Sequence, residues 1–302
     1  MSKNNEELLL FWRQSSQRAA ELYESGTKFW NKTDLRDIED QLSTEAREFT
    51  VQSINGDPVS TPNIMFGARG PIWKPKVGFR HYWHMVHEQP NDPPETYHCS
   101  YLVRWINQVD LDFMSTIGNA ESIFKKKRDS WNKSASCQML RSQLAQLLGN
   151  KKVTKVICFG LGDMCRQPPE GWGDLLLVGM IQHSVALTIA EVCRDRGSSD
   201  VQLLAQDPEY SEPAKELLQK NDFTIVGQFG AAGFAEIDDE TVVFSAFVSA
   251  PLKQIIADIA RPAIITCVEI SMEKWGLMQS IQSMLSMLKR LLKRLLNVDV
   301  FH

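Results

Sequence analysis

The feature that most constrains this chain is a run of alternating short apolar segments and helical segments from Val153 to Val268. Val153–Phe159, Val201–Gln206, Thr224–Val226, Thr241–Ser245 and Ala263–Val268 read as strands rich in Val, Ile, Leu and Phe. Between them, Asp174–Arg194, Glu212–Lys220 and Pro251–Ile259 carry apolar residues at helical spacing. Continuous apolar strands are buried on both faces, and strands alternating with helices imply mainly parallel pairing. The pattern predicts an α/β fold: a mostly parallel sheet with helices on both faces.

The segment before Val153 has a different grammar. Glu6–Ser25 is a helix that stops at Gly26, and Thr33 is placed to cap a second helix carrying Leu35, Ile38 and Leu42. Ser53–Gly78 dissolves into Gly, Pro and Asn and reads as loop with at most one short strand. Phe79–Glu88 and Thr96–Ile106 are aromatic-rich runs separated by Gln89-Pro90-Asn91-Asp92-Pro93-Pro94, for which a β-hairpin is the simplest account. Leu111–Arg128 and Ser134–Leu148 read as helices, the second ended by Gly149. The organisation expected is therefore a helical and hairpin region over residues 1–150 covering the sheet, and a sheet domain over residues 151–302. The last segment, Met272–Leu296, is amphipathic and cationic near its end. It is expected to pack on its own domain, with a homodimer seam or a membrane-surface helix as the alternatives.

Composition narrows the function classes. A length of 302 residues with 43% hydrophobic and 23% charged residues suits a globular chain. A net charge of −4 argues against nucleic acid as a partner, since phosphate binding needs a concentrated basic surface. The one dense basic run, Lys125-Lys126-Lys127-Arg128, reads as a solvated helix end. Six scattered cysteines, several inside apolar runs and none in a CxxC pair, suit a reducing compartment. The N-terminus lacks the order of a signal peptide, and no apolar stretch reads as reaching the roughly 20 residues of a membrane span. A cytoplasmic protein without membrane insertion is the expectation.

Four stretches, in order, carry a family likeness: Ile157–Asp163 (ICFGLGD), Gln182–Glu191 (QHSVALTIAE), Gln206–Tyr210 (QDPEY), and Asp238–Phe247 joined to Pro251–Cys267. The chain resembles the Sensitivity to Red Light Reduced family. Leu22–Leu42 looks like the fungal branch of it. The resemblance implies a Rossmann-like fold. It also implies an association with circadian regulation in plants and animals and with haem metabolism in animals, but no catalytic residue set. Plant and animal members carry a Pro-His-Cys cluster where this chain has Phe247-Val248-Ser249-Ala250-Pro251, so any role of that histidine or cysteine does not transfer.

Gly160 and Gly162 follow the first strand, where glycine lets a backbone approach a phosphate or ribose. The fingerprint is incomplete, because Cys165 holds the place of its third glycine, and Cys158 holds the place of the acid usual in methyltransferases. No bound cofactor is expected. Asp207 ends the second strand, where an acid can meet ribose hydroxyls or simply serve the turn before Pro208; Asp163 lies at the same crevice. His183 sits mid-helix among apolar residues, where a hydrogen-bonded packing role outweighs catalysis. His81, His84, His87 and Glu88 form the densest titratable cluster. On a helix, His81, His84 and Glu88 would share a face and could ligate a metal. On a strand, which the aromatics favour, His84 faces away from His81 and His87, and no metal site is expected. Trp83, His84, Tyr97, His98 and Trp105 can instead line an apolar cavity or pack on the core. No nucleophile elbow is present, and Cys158 is expected to be buried and inert.

Three functions fit these residues. The first is a small-molecule-binding module using the crevice under the hairpin, with Gly160, Gly162, Asp163, Asp207, His183, Trp83, His84, Tyr97 and Trp105 as ligand-binding residues. The second is a cofactor-independent cyclase or isomerase of fungal specialised metabolism, of Diels–Alder type, working by holding a substrate in a reactive conformer. The third is a degenerate methyltransferase.

Overall fold

A computed structural model describes residues 3–70, 72–88, 91–107, 116–167, 174–196 and 200–267. The tail expected to be helical, Met272–Leu296, lies outside them, as does its use as a dimer seam. The chain divides into two compact units that are interleaved in sequence. One contains residues 1–109, 227–236 and 249–260; the other contains 110–226, 237–248 and 261–302. The boundary expected at residue 150 falls inside the second unit.

The second unit is the parallel-sheet unit. It begins with α4 (Ala120–Asn132) and α5 (Ala135–Leu148), followed by β5 (Lys155–Phe159), α6 (Asp174–Asp195), β6 (Gln202–Gln206), α7 (Glu212–Gln219), β7 (Phe223–Ile225), β8 (Thr241–Ser245) and β9 (Ile264–Cys267). The five strands form one sheet in the order β7-β6-β5-β8-β9, and every pairing is parallel. Chain progression therefore moves outward one way from β5 through β6 and β7, and the other way through β8 and β9. Every residue of β8 and all of β5 after Lys155 are buried, which is why both read as unbroken apolar runs.

Helix α6 is the crossover from β5 to β6. By length and composition Leu176–Asp195 is apolar enough to cross a membrane, against the expectation that no stretch would be. Its Val185, Ala186, Ile189, Ala190 and Val192 are buried in the core of this unit, which accounts for that hydropathy. Each large side chain so buried stabilises the fold by about 1.5–3 kcal/mol. Local signals place the neighbouring helices. Ser134 Oγ caps α5 by accepting from Cys137 N–H at 3.1 Å, and Gly149 ends it with φ +49°. The basic run sits inside α4 rather than at its end, and Arg128 and Arg141 both pair with Glu191 of α6.

The other unit contains α1 (Lys3–Glu24), α2 (Lys32–Leu42), β1 (Glu48–Gln52), β2 (Pro58–Pro62), β3 (Trp73–Phe79), α3 (Tyr82–His87), a single 3-10 turn (Pro94–Thr96), β4 (Tyr101–Asn107), α8 (Ala232–Ala235) and α9 (Leu252–Ile259). Two antiparallel pairs form here, β1 with β2 and β3 with β4. Ser53–Gly78, expected as loop with at most one short strand, thus supplies β2 and most of β3. Asn31, not Thr33, caps α2, its side chain accepting from Asp34 N–H at 2.9 Å. The expected strand at Phe79–Glu88 is also corrected. Phe79 ends β3 opposite Tyr101, and Tyr82–His87 is helix. His81 supplies the helix start by accepting from His84 N–H through Nδ1 at 3.0 Å, a local cap that outweighs the strand preference of the aromatic residues. Two carboxylates tie this unit's separate stretches together. Buried Glu39 accepts from the N–H groups of Phe229, Ala231 and Ala232, and Asp258 accepts from those of Phe29 and Trp30.

Candidate functional site

In the parallel-sheet unit the strand order reverses direction at β5, and ligands of open parallel sheets bind outside the strands' carboxyl ends at such a point. Gly160 and Gly162 lie there, both in the left-handed region at φ +63° and +77°. They are not equivalent. A Cβ on Gly160 would lie 2.6 Å from the backbone carbon of Phe247, whose N–H donates to Gly160 O at 3.1 Å. Glycine is required there because the backbone following β8 packs directly on it, so the β5–β8 side is closed. Gly162 is exposed, and a Cβ there would meet nothing within 4 Å. The open edge is therefore the β5–β6 side.

Asp207, directly after β6, faces that edge. Its Oδ2 accepts from Gly162 N–H at 3.0 Å and its Oδ1 from Glu209 N–H at 3.1 Å. Each carboxylate oxygen carries about two lone-pair sites, so capacity remains on both. Desolvation pushes the Asp207 carboxyl up to about 6, outweighing the two N–H bonds that favour the anion. Asp163 is more heavily engaged. It accepts from Cys165 and Arg166 N–H through Oδ1 and from Ser211 N–H through Oδ2 at 2.6 Å, tying the β5 loop to the start of α7.

His183 lies beneath this loop with no exposure. Nδ1 is 2.7 Å from Gly179 O and Nε2 is 3.0 Å from the Tyr210 hydroxyl. A carbonyl can only accept, so Nδ1 carries the proton of the neutral ring and Nε2 accepts from Tyr210. Burial lowers the ring's pKa to about 4 and raises that of the Tyr210 phenol, so both are neutral near pH 7. Tyr210 was legible inside the QDPEY stretch, but its partnership with His183 spans two elements and has no sequence signature. The thiols of Cys158, Cys165 and Cys193 are buried and their pKa values raised by desolvation, that of Cys165 to about 12. A thiolate nucleophile is not what they supply.

A model of the SRR1 domain matches residues 138–297. That is just over half of the 302 residues. The chain belongs to the SRR1 domain family. No curated protein and no solved structure matches it. The matched range begins within α5 and takes in all of β5 to β9, so Gly162, His183, Asp207 and Tyr210 lie inside the SRR1 domain.

The remaining candidates lie outside that range, in the other unit. Trp83 is exposed on α3 and stacks on His87 with ring centroids 4.4 Å apart. His84 lies one turn before Glu88, with Nδ1 3.6 Å from the carboxylate, and burial lowers its pKa. Tyr97 is buried after the 3-10 turn. Trp105 of β4 meets Phe49 of β1, with ring centroids 6.5 Å apart. Trp83, His84 and Trp105 thus have different partners. His98, half-buried, lies 3.5 Å from Ser15 Oγ. At the heart of this unit Asp92 joins buried Arg80, at 2.5 Å, to Arg104. The two guanidiniums hold the Asp92 carboxyl down at about 2.

Proposed function

We propose that the SRR1 domain of this chain is a Rossmann-like binding module for a small hydroxylated molecule, held at the β5–β6 edge. The observation that carries the reading is Asp207: an acid at the end of the second strand, beside the exposed backbone of Gly162, with residual acceptor capacity and a raised pKa. A carboxyl with a raised pKa at a sheet switch point is a binding-site candidate on physical grounds, because the site is where ligands of open parallel sheets bind. An acid in this position suits hydroxyl donors of a sugar or polyol. A dinucleotide fits less well, because the backbone face that its pyrophosphate would approach at Gly160 is covered by Phe247.

Other parts of the reading rest on sequence alone. The Leu22–Leu42 likeness and the lack of the Pro-His-Cys cluster support a fungal-branch protein. A net charge of −4 favours a small molecule over nucleic acid, and scattered cysteines favour the cytoplasm. A cyclase would need one aromatic-walled chamber, and the separate partners of Trp83 and Trp105 give that alternative less support.

The test is native mass spectrometry of the full chain after exposure to a small-molecule extract, with purified adenosine, S-adenosylmethionine and NAD+ as separate probes. A discrete adduct is expected on the wild type and lost in Asp207→Ala, with circular dichroism unchanged. Adducts of equal occupancy on both proteins would remove Asp207 from the site and sink the reading.

A further inference from the structure

The helix at Tyr82–His87 brings together the side chains that a strand would have separated. His81 at the N-cap, His84 one turn on and Glu88 just past the end present one ligand atom each, and these atoms lie within 4.8 Å of one another. Among the described residues this is the one group of His, Cys, Asp or Glu side chains so placed. Their spacing, i, i+3 and i+7, puts them on one helical face. We propose that His81, His84 and Glu88 form a binding site for a divalent transition ion of the zinc class. The proposal does not rest on the reading of the SRR1 domain.

The donor set decides the ion. Two imidazoles and one carboxylate suit Zn2+, Co2+, Ni2+ or Fe2+, whereas Ca2+ and Mg2+ want oxygen donors throughout. Three protein ligands leave at least one coordination position for water or a small ligand. Bonds of about 2.1 Å place tetrahedral ligand atoms about 3.4 Å apart, so the group must contract slightly. Glu88 is able to move, its side chain being 59% exposed, and its separation from His84 Nδ1 is already 3.6 Å.

The surroundings hold the helix in place. Tyr82 N–H donates to Gln254 Oε1 at 2.9 Å, Ser16 Oγ donates to Val86 O at 2.6 Å, and Trp12 Nε1 donates to Glu88 O at 3.1 Å. Arg80, the cation nearest the group on its own stretch of chain, is paired with Asp92, which it shares with Arg104. His87 points elsewhere, stacked on Trp83.

The metal-free ring of His81 carries a specific signature. Because Nδ1 accepts the His84 N–H, the ring proton resides on Nε2. Coordination through either nitrogen therefore requires the cap bond to be given up: the ion takes the Nδ1 lone pair, or the proton moves to Nδ1 to free Nε2. Metal binding is thus coupled to a change in the His81 ring that nitrogen-15 NMR reads directly.

The experiment uses the full chain, stripped with a chelator and titrated with Zn2+ against a chromophoric competitor, then with Co2+ followed by visible absorption. His81→Asn keeps a side chain able to cap the helix while removing the imidazole, so this variant separates ligation from folding. Expected are a Co2+ ligand-field band, a shift of the His81 ring nitrogens, and an affinity loss of about tenfold or more in each of His81→Asn, His84→Gln and Glu88→Gln, with His87→Gln unchanged. If the folded His81→Asn/His84→Gln double variant binds Zn2+ as tightly as the wild type, or if the wild type shows no competition at all, the proposal is overturned.

Discussion

Tyr210→Phe removes one oxygen from the SRR1 domain and leaves its packing otherwise intact, so its cost reports a single hydrogen bond. The His183 ring is fully buried and Tyr210 is 4% exposed, so water cannot replace the lost hydroxyl. The Nδ1 proton is committed to Gly179 O, so the Nε2 lone pair would remain with no donor. An unsatisfied buried acceptor of this kind costs about 1–3 kcal/mol. The readout is native-state hydrogen exchange of the α6 amides, which isolates this helix from the rest of the chain. At pH 7.5 the opening free energy of Val185–Ala190 is expected to fall by about 1–3 kcal/mol. The same pair sets a pH dependence. His183 has its folded pKa lowered from 6.5 to about 4, so between those values the unfolded state binds more protons. Its stability contribution is complete above pH 6.5 and is lost as pH falls toward 4, by about 3 kcal/mol for a shift of this size. A Tyr210→Phe protein with α6 protection within about 0.3 kcal/mol of wild type would refute the tautomer assignment and the satisfied-pair argument with it.

The two glycines of the β5 loop are expected to differ on substitution. Gly162→Ala meets open space and carries only the left-handed backbone cost of about 1–2 kcal/mol. Gly160→Ala adds a collision with the Phe247 backbone and should cost about 3 kcal/mol or more, or prevent folding; equal melting temperatures would show that the β5–β8 side is not closed as described. Asp92→Asn leaves buried Arg80 without its carboxylate and should destabilise by about 3 kcal/mol in urea titration at pH 7. The wild-type advantage should be present above pH 3.8 and shrink as pH falls toward about 2, because the folded carboxyl holds its proton less tightly than the unfolded one. A difference that stays flat from pH 5 to pH 2 would contradict the assigned charge pairing.

What the sequence determined by itself is the sheet unit. The strand expected at Thr241–Ser245 coincides with β8, and Asp174–Arg194 differs from α6 by one residue. Central parallel strands are buried on both faces, so their apolar runs are long enough to stand out, and Ser134 and Gly149 mark helix ends through local backbone chemistry. Antiparallel strands half open to solvent carry a weaker pattern. Ser53–Gly78 hid β2 and most of β3 because their order depends on cross-strand partners, Val51 opposite Val59 and Val77 opposite Val103. The run around Trp83 had composition suited to either state. A six-residue helix is too short for period to decide, and only the cap on His81 and the packing of α1 on α3 chose it. The difference matters for chemistry, since helix rather than strand puts His81, His84 and Glu88 on one face. In the same way glycine at 160 and 162 was visible from the start. That one is sealed by Phe247 and the other open beside Asp207 depended on where the chain after β8 returns, which no local pattern records.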